Sequence, residues 1–187
     1  EGQTINNILV NDSASDSATG NNMFKITSTT KPQQLEINNI SYSNTDGFGL
    51  VSASCSVLGL VSISNIVLNS IQLKPSVFLS FKAQQHLTLE SSQNFTNFYI
   101  KNSKIWSLLK WSPGDAFPSS VPVILFENVR IENNTNNEWK GLDDAMFLVE
   151  NTVFKGTNLV FSNNDWTIPY IFNDYSSIGF NAWLFSG

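Results

Sequence analysis

The chain has 187 residues, which is enough for one domain with a hydrophobic core and too few for two ordinary domains. Ten Lys and Arg residues stand against fifteen Asp and Glu, so we expect no electropositive surface for a phosphate backbone and no nucleic-acid partner. No apolar run reaches the roughly 18 residues of a membrane-spanning helix, so no membrane span is expected.

Uncharged polar residues dominate the composition. Charged residues make up 13% of the chain, against about 25% in typical domains, while the sequence holds 24 Asn and 25 Ser. These numbers predict a surface that is polar without being ionic. The single cysteine, Cys55, excludes an internal disulfide and a Cys-based zinc site, and we expect it to be a small buried apolar residue.

One pattern, apolar-x-apolar-x-Asn-x-x-apolar, recurs along the chain. Its alternation is typical of strands, and helical spacing of apolar residues is hard to find, so the chain is predicted to be all-β. In chain order the pattern fits Gln3/Ile5/Asn7/Val10 with a polar first position, then Leu35/Ile37/Asn39/Tyr42, Val61/Ile63/Asn65/Leu68, Phe98/Ile100/Asn102/Ile105, Ile124/Phe126/Asn128/Ile131, Phe147/Val149/Asn151/Phe154 and Leu159/Phe161/Asn163/Trp166.

Steps of 23 to 26 residues separate several of these Asn residues, as expected for successive coils. Two inward apolar residues make a strand, and Asn tolerates the left-handed backbone that bends the chain. Coils stacked about 4.8 Å apart would place identical amides above one another in a ladder. The predicted fold is therefore a single-stranded parallel β-helix, or β-solenoid, right-handed, with inserted loops and an Asn ladder formed by Asn39, Asn65, Asn102, Asn128, Asn151 and Asn163.

A β-sandwich is the alternative fold, because its strands also recur at short intervals. Sandwich hairpins favour Asn-Gly and Asp-Gly turns. The sequence has no Asn-Gly and a single Asp-Gly, Asp46-Gly47, which favours the solenoid.

Three Asn-rich segments resemble the turns of right-handed parallel β-helices of the pectin-lyase-like superfamily. They are Ile37-Asn38-Asn39-Ile40, Phe126-Glu127-Asn128-Val129-Arg130-Ile131-Glu132-Asn133-Asn134 and Phe161-Ser162-Asn163-Asn164. The last segment also resembles the Phe-x-x-Asn half of the repeat in polymorphic outer-membrane proteins, whose Gly-Gly-Ala-Ile half is absent here. The resemblance implies a fold shared by polysaccharide lyases, galacturonases, tailspikes and adhesins, and specifies no activity.

No catalytic constellation is assembled in the sequence. Galacturonases on this fold use an Asp cluster, a Gly-His-Gly segment and an Arg-x-Lys segment, whereas His86 has no glycine beside it and Arg130 precedes Ile131 and Glu132. The only adjacent carboxylates, Asp143 and Asp144, suit a solvated turn. We therefore expect a chain that is not an enzyme and has no metal site or cofactor.

Four Asn-x-Ser/Thr acceptors permit N-linked glycans in a secreted chain. Asn133, Asn94 and Asn11 are the candidates, while Asn39 is disfavoured because a ladder amide cannot carry a sugar. The alternative is a carbohydrate-binding or polysaccharide-degrading protein whose sugar site combines carboxylates with Trp residues beside the long loops, one of them the segment 104–122. That site would comprise Trp106, Trp111, Trp139, Asp143 and Asp144.

The C-terminal segment 168–187 is strongly apolar and holds no charged residue after Asp174. A solenoid needs covered ends because terminal coils expose apolar side chains and unpaired strand edges. Residues 1–187 are read as one solenoid unit, either a piece of a longer solenoid or one subunit of an assembly. The segment 168–187 is then an internal cap or an assembly surface, with Tyr170, Phe172, Phe180, Trp183 and Phe185 as its candidate residues.

These observations predict a non-catalytic extracellular structural protein. We expect a subunit of a glycosylated filament, or a surface adhesin, that self-associates end to end.

Overall fold

The computed structural model describes residues 2–11, 22–28, 33–47, 49–73, 77–86, 93–105, 107–113, 123–135, 147–150, 153–165, 170–173 and 177–186. These residues form strands, corners and bends and contain no helix. The predicted all-β class is confirmed.

Fourteen strands are described. They are β1 Gly2–Asn11, β2 Asn22–Ser28, β3 Gln33–Ser43, β4 Asp46–Gly47, β5 Gly49–Asn69, β6 Gln72–Leu73, β7 Val77–His86, β8 Gln93–Lys101, β9 Ser107–Pro113, β10 Val123–Glu132, β11 Phe147–Glu150, β12 Val153–Ser162, β13 Tyr170–Asn173 and β14 Ser177–Ser186.

The strands stack as the coils of a parallel β-solenoid. One stack runs β1, β3, the second half of β5, β8, β10, β12 and β14. A second runs β2, the first half of β5, β7, β9, β11 and β13. All of these described pairings are parallel, so the solenoid is confirmed and the β-sandwich, which pairs strands antiparallel, is excluded.

Two corners with left-handed backbone lie five residues apart in five successive described coils of the first stack, from β3 to β12. Asn suits them because its short amide tolerates a positive φ. The first corner is formed by Asn7, Asn39, Asn65, Asn97, Asn128 and Asn158, and the second by Asn44, Ser70, Asn102, Asn133 and Asn163, with φ between 47° and 59°.

The predicted ladder therefore divides into two columns. Asn39, Asn65 and Asn128 share the first corner, whereas Asn102 and Asn163 lie at the second corner and not in the same column. In the coils of Asn102 and Asn163, the sequence pattern matches the second corner, five residues after the first. The step from Asn102 to Asn128 is therefore shorter than one coil. First-corner steps are 32, 26, 32, 31 and 30 residues. Asn151 lies outside the described residues.

The core consists of columns of inward apolar side chains. One column follows the register Ile40, Ile66, Phe98, Val129 and Leu159, each at most 1% exposed. Because successive coils pair in register, similar residues lie directly above one another. Full burial of each side chain contributes about 1.5–3 kcal/mol to stability.

Aromatic rings fill the middle of the core. Phe95 and Phe126 are in adjacent coils and stack with centroids 4.7 Å apart and planes 7° apart. Trp111 meets the edge of Phe95 at 6.5 Å and lies 5.3 Å from Phe81. These contacts link the two strand stacks across the interior of the solenoid.

The segment 104–122, predicted to be a long loop, contains β9. This strand pairs with β7 and β11, and Trp111 within it is fully buried. Its neighbours Leu108 and Leu109 are apolar and buried, so this part of the segment belongs to the core. Cys55 is also buried, as expected.

The segment 168–187 contributes two strands to the stacks. Strand β13 pairs in parallel with β11, and β14 pairs with β12 from Ser177 to Ser186. The segment therefore continues the same register as the preceding coils.

Candidate functional site

The first corner carries a ladder of side-chain amides along the solenoid axis. Asn97 Nδ2 donates to Asn65 Oδ1 (3.0 Å), Asn128 Nδ2 to Asn97 Oδ1 (3.2 Å), and Asn158 Nδ2 to Asn128 Oδ1 (3.0 Å). Asn39 Nδ2 likewise donates to Asn7 Oδ1 (3.1 Å). Every donor lies one coil after its acceptor, so the ladder has a direction.

One step of this ladder uses a different acceptor. Asn65 Nδ2 donates to Asn38 Oδ1 (2.8 Å), next to the corner residue Asn39, and Ser64 Oγ donates to the same oxygen (3.0 Å). The shorter coil between Asn39 and Asn65 coincides with this change of partner.

The second corner combines a loose outer ladder with a tight inner column. Outside, Asn133 Nδ2 donates to Asn102 Oδ1 at 3.4 Å. Inside, the fully buried Asn134 accepts from the Ser103 backbone N–H (2.9 Å) and donates through Nδ2 to Ile100 O (3.1 Å) and Asn164 Oδ1 (3.0 Å). Its buried amide is therefore satisfied, as a polar group without water must be.

The edge strand β1 offers an incomplete core surface. It pairs with β3 on one side, and no other described strand pairs with it. Its inward residues Ile5, Ile8 and Val10 are only partly buried. Their register partners one coil further are completely covered: Ile37 is 0%, Ile40 1% and Tyr42 2% exposed.

The opposite edge of the same stack is β14. In register it places Phe180 opposite Gly156, Trp183 opposite Leu159 and Phe185 opposite Phe161. Following the register through the stack, these positions belong to the columns that begin at Ile5, Ile8 and Val10. Both edges therefore carry apolar residues at the same three column positions.

The remaining assembly candidates, Tyr170 and Phe172, lie in β13 and pair in register with Phe147 and Val149. They extend the second strand stack. The first-corner column has Ala182 at the next position, between Asn181 and Trp183, so the Asn ladder stops at Asn158.

The described ionisable groups are dispersed along the solenoid. Among the described residues, no group of three or more His, Cys, Asp or Glu could hold a metal ion. Arg130 Nη2 donates to Glu132 Oε1 at 2.6 Å on the surface, and this bond raises the pKa of the arginine. His86 ends β7.

Tyr42 is the one described residue whose burial strongly perturbs titration. Its ring is 2% exposed, and its hydroxyl donates to Met23 Sδ at 3.4 Å. Burial raises the pKa of the phenol well above its ordinary value of 10.0, because the phenolate would lose hydration.

The glycosylation candidates occupy three kinds of position. Asn133 is exposed but belongs to the outer ladder of the second corner, and Asn94 is half-buried within β8. Asn11 is exposed at the end of β1, where its side-chain oxygen accepts from Ser43 Oγ at 2.6 Å.

Of the alternative sugar-site residues, Trp111 is the one that the structure describes. Trp111 is fully buried and offers no ring face to a ligand. Trp106, Trp139, Asp143 and Asp144 lie outside the described residues.

Sequence reasoning missed Asn97 and Asn158 as first-corner residues and Asn134 as an internal polar residue. A signal for the corners was present, since Asn recurs five residues apart in Asn39/Asn44, Asn97/Asn102, Asn128/Asn133 and Asn158/Asn163. The inner column was harder to find, because Asn134 and Asn164 are preceded in it by three other residue types, Thr45, Ile71 and Ser103.

No helix in the described part of the chain has the length and apolarity that crossing a bilayer requires. No family model matches the chain, and neither does any curated protein or solved structure.

Proposed function

We propose that the chain is a non-catalytic extracellular structural protein that self-associates end to end into a filament. One observation carries this proposal. The edge strands β1 and β14 hold apolar residues at the same three inward column positions, so a second copy can continue the stack in register.

Incomplete burial at β1 gives the driving force. Ile5, Ile8 and Val10 remain partly exposed where the equivalent residues one coil further are at most 2% exposed. Covering them with another coil would remove this apolar surface from water and pair the free strand edge. A second copy of this chain has the correct register and residue chemistry for that role.

The direction of the coils makes the contact head to tail. All described pairings are parallel, so β14 of one copy would meet β1 of the next in the same orientation as neighbours within the chain. Because β1 and β14 are different surfaces, such a contact does not close on itself and produces an open filament.

A matched pair of charge insertions tests the proposal. Ile8 and Leu9 are neighbours in β1, but Ile8 faces inward and Leu9 is 74% exposed on the outer surface. Ile8→Lys places a charge in the proposed junction, where burial without a partner costs several kcal/mol. Leu9→Lys adds the same charge outside it.

Sedimentation velocity over a concentration series measures the effect. The native chain and Leu9→Lys should assemble alike, whereas Ile8→Lys should need at least about a tenfold higher concentration. A monomeric native chain at every concentration would overturn the proposal, as would equal assembly of the two variants. Circular dichroism confirms that each variant retains its β structure.

Secretion and glycosylation are part of the same proposal. Exposure away from the two ladders favours Asn11 as the acceptor, whereas the Asn133 amide belongs to the outer ladder. An adhesin-type β-helix of the pectin-lyase-like kind is the class we propose. Expression in a eukaryotic secretory system followed by enzymatic deglycosylation measures occupancy by mass. An unchanged mass after this treatment would remove the glycoprotein part of the proposal.

A further inference from the structure

A polar groove runs beside the second corner, across several coils. Its volume is about 480 Å³, within the range of ligand sites of roughly 300–1,000 Å³. Asp46, Gln72, Lys104 and Thr135 lie at successive coil positions along it, paired in parallel from one coil to the next. Asn102 and Asn133 form its other wall.

The backbone groups along the floor of the groove are already hydrogen-bonded to one another. Gln72 N donates to Thr45 O (3.0 Å), Lys104 N to Ile71 O (2.8 Å) and Thr135 N to Ser103 O (2.9 Å). Thr45 and Ser103 are themselves buried. Recognition in this groove must therefore come from side chains on a preorganised base, which lowers the entropic cost of binding.

Several side chains in the groove have hydrogen-bonding capacity left over. Those of Gln72, Lys104 and Thr135 make no hydrogen bond or ion pair with the residues that the structure describes. With other described residues, the amides of Asn102 and Asn133 make bonds of 3.4 Å. Along the groove, at the coil spacing of about 4.8 Å, Asp46 offers an acceptor, Gln72 and Thr135 offer both a donor and an acceptor, and Lys104 offers a donor.

The charge of the groove points to a neutral ligand. Asp46 and Lys104 are the charged residues among those that line it, and their charges cancel. A phosphate or polyuronate chain would find a single cation here. An extended neutral polysaccharide, by contrast, offers hydroxyl groups at a spacing close to that of the coils.

We propose that this groove binds a linear neutral polysaccharide lying along the solenoid axis. The site is distinct from the edges β1 and β14 that would join copies, and it needs neither an enzyme activity nor a cofactor. Sugar hydroxyls would bond to Gln72, Lys104 and Thr135 on one side and to the Asn102 and Asn133 amides on the other.

Affinity gel electrophoresis tests the proposal with hydroxyethylcellulose, arabinoxylan and galactomannan as neutral probes and polygalacturonate as the acidic probe. The test variant is Gln72→Ala/Lys104→Ala/Thr135→Ala. The control variant, Gln34→Ala/Lys155→Ala/Thr27→Ala, removes the same residue types from exposed strand positions outside the groove.

We expect at least one neutral polysaccharide to retard the native chain and the control equally. The test variant should bind about tenfold or more weakly, since each lost hydrogen bond contributes about 0.5–1.5 kcal/mol. Absence of retardation by all three neutral probes overturns the proposal. Equal retardation of native chain and test variant, or retardation by polygalacturonate alone, overturns it as well.

Discussion

At the scale of single residues, the solenoid depends on Asn because one side chain meets two requirements. The corner needs a left-handed backbone, which Asn tolerates better than other residues with a Cβ atom. The same amide then donates to one neighbouring coil and accepts from the other, as Asn97 does between Asn65 and Asn128. Glycine would satisfy only the first requirement.

Substitutions of Asn97 separate these two contributions. Asn97→Ala should lower the free energy of unfolding by about 2 kcal/mol, from backbone strain and lost ladder bonds. Asn97→Gly should lose about 1 kcal/mol less, because glycine adopts the positive φ of 59° without strain.

Asn94 in the same strand is the control, since it lies outside the positive-φ positions. There the order should reverse, with glycine costlier than alanine in a strand. Urea denaturation measures all four variants, and the same order at both positions would contradict this explanation.

Tyr42 makes the stability of the folded chain depend on pH in the alkaline range. Because burial raises its pKa, the folded chain keeps the phenolic proton above pH 10 while the unfolded chain releases it. The contribution to stability is thus complete below pH 10 and is lost as the pH rises further.

Tyr42→Phe removes this titration. Between pH 10 and 11.5, the free energy of unfolding of the native chain should fall by up to about 1.4 kcal/mol per pH unit more than that of the variant. Chemical denaturation at stepped pH measures the difference. If the free energy of unfolding fell equally with pH in both proteins, Tyr42 would be accessible to hydroxide in the folded state.

At the scale of elements, side chains fasten one coil to the next beyond the backbone ladder. Asn22 at the start of β2 donates from Nδ2 to Val51 O (2.8 Å) and to Val77 O (3.0 Å), so one amide joins three coils. It reaches the third coil by passing over Gly49, which pairs with it in register. Gly49 is buried, and a Cβ there would clash with Val77 O and Asn22 Nδ2.

Gly49→Ala is therefore expected to destabilise the chain by about 1–3 kcal/mol, through the clash and the displaced Asn22 amide. For a chain of this size, the corresponding fall in Tm is roughly 2–4 °C per kcal/mol.

Gly2→Ala is the matched control, because a Cβ at Gly2 meets nothing within 4 Å. Thermal unfolding followed by circular dichroism compares the two variants. Equal melting temperatures for Gly49→Ala and the native chain would show that the amide crossing is not required.

The strands and their parallel stacking were predictable from the sequence, because inward apolar residues alternate with polar ones in segments such as Leu35–Ile37 and Val61–Ile63. The coil length was not. An apolar pair precedes the first corner, and another precedes the second, so a shift of five residues still satisfies the pattern at Asn102 and Asn163. Three-dimensional register is needed to separate the two corners.

The candidate sites were predictable only in part. The apolar character of 168–187 was visible in the sequence, and its matching column positions in β1 required the strand register. The burial of Trp111 was missed because β9 has Ser107, Lys110 and Ser112 among its apolar residues, which gives it the composition of a loop. The groove beside the second corner joins residues about 30 positions apart in the chain.

At the scale of the whole molecule, the described coils have few charges, two amide columns and a continuous apolar interior. Such a stack has no natural end, because each coil offers the next the same register and the same column chemistry. At the proposed junction, Ala182 takes the place of the first-corner Asn, so the amide ladder would be interrupted there while the apolar columns would continue. We therefore expect the junction between copies to be weaker than the contacts between coils of one chain.

Electron cryomicroscopy of the unsubstituted 187-residue chain, prepared without denaturant, tests the central claim most directly. The account predicts unbranched filaments of constant width. The averaged power spectrum of their images should show a layer line at about 4.8 Å, from strands stacked along the filament axis. Dispersed particles at high concentration, or filaments whose strand spacing lies across their axis, would contradict it.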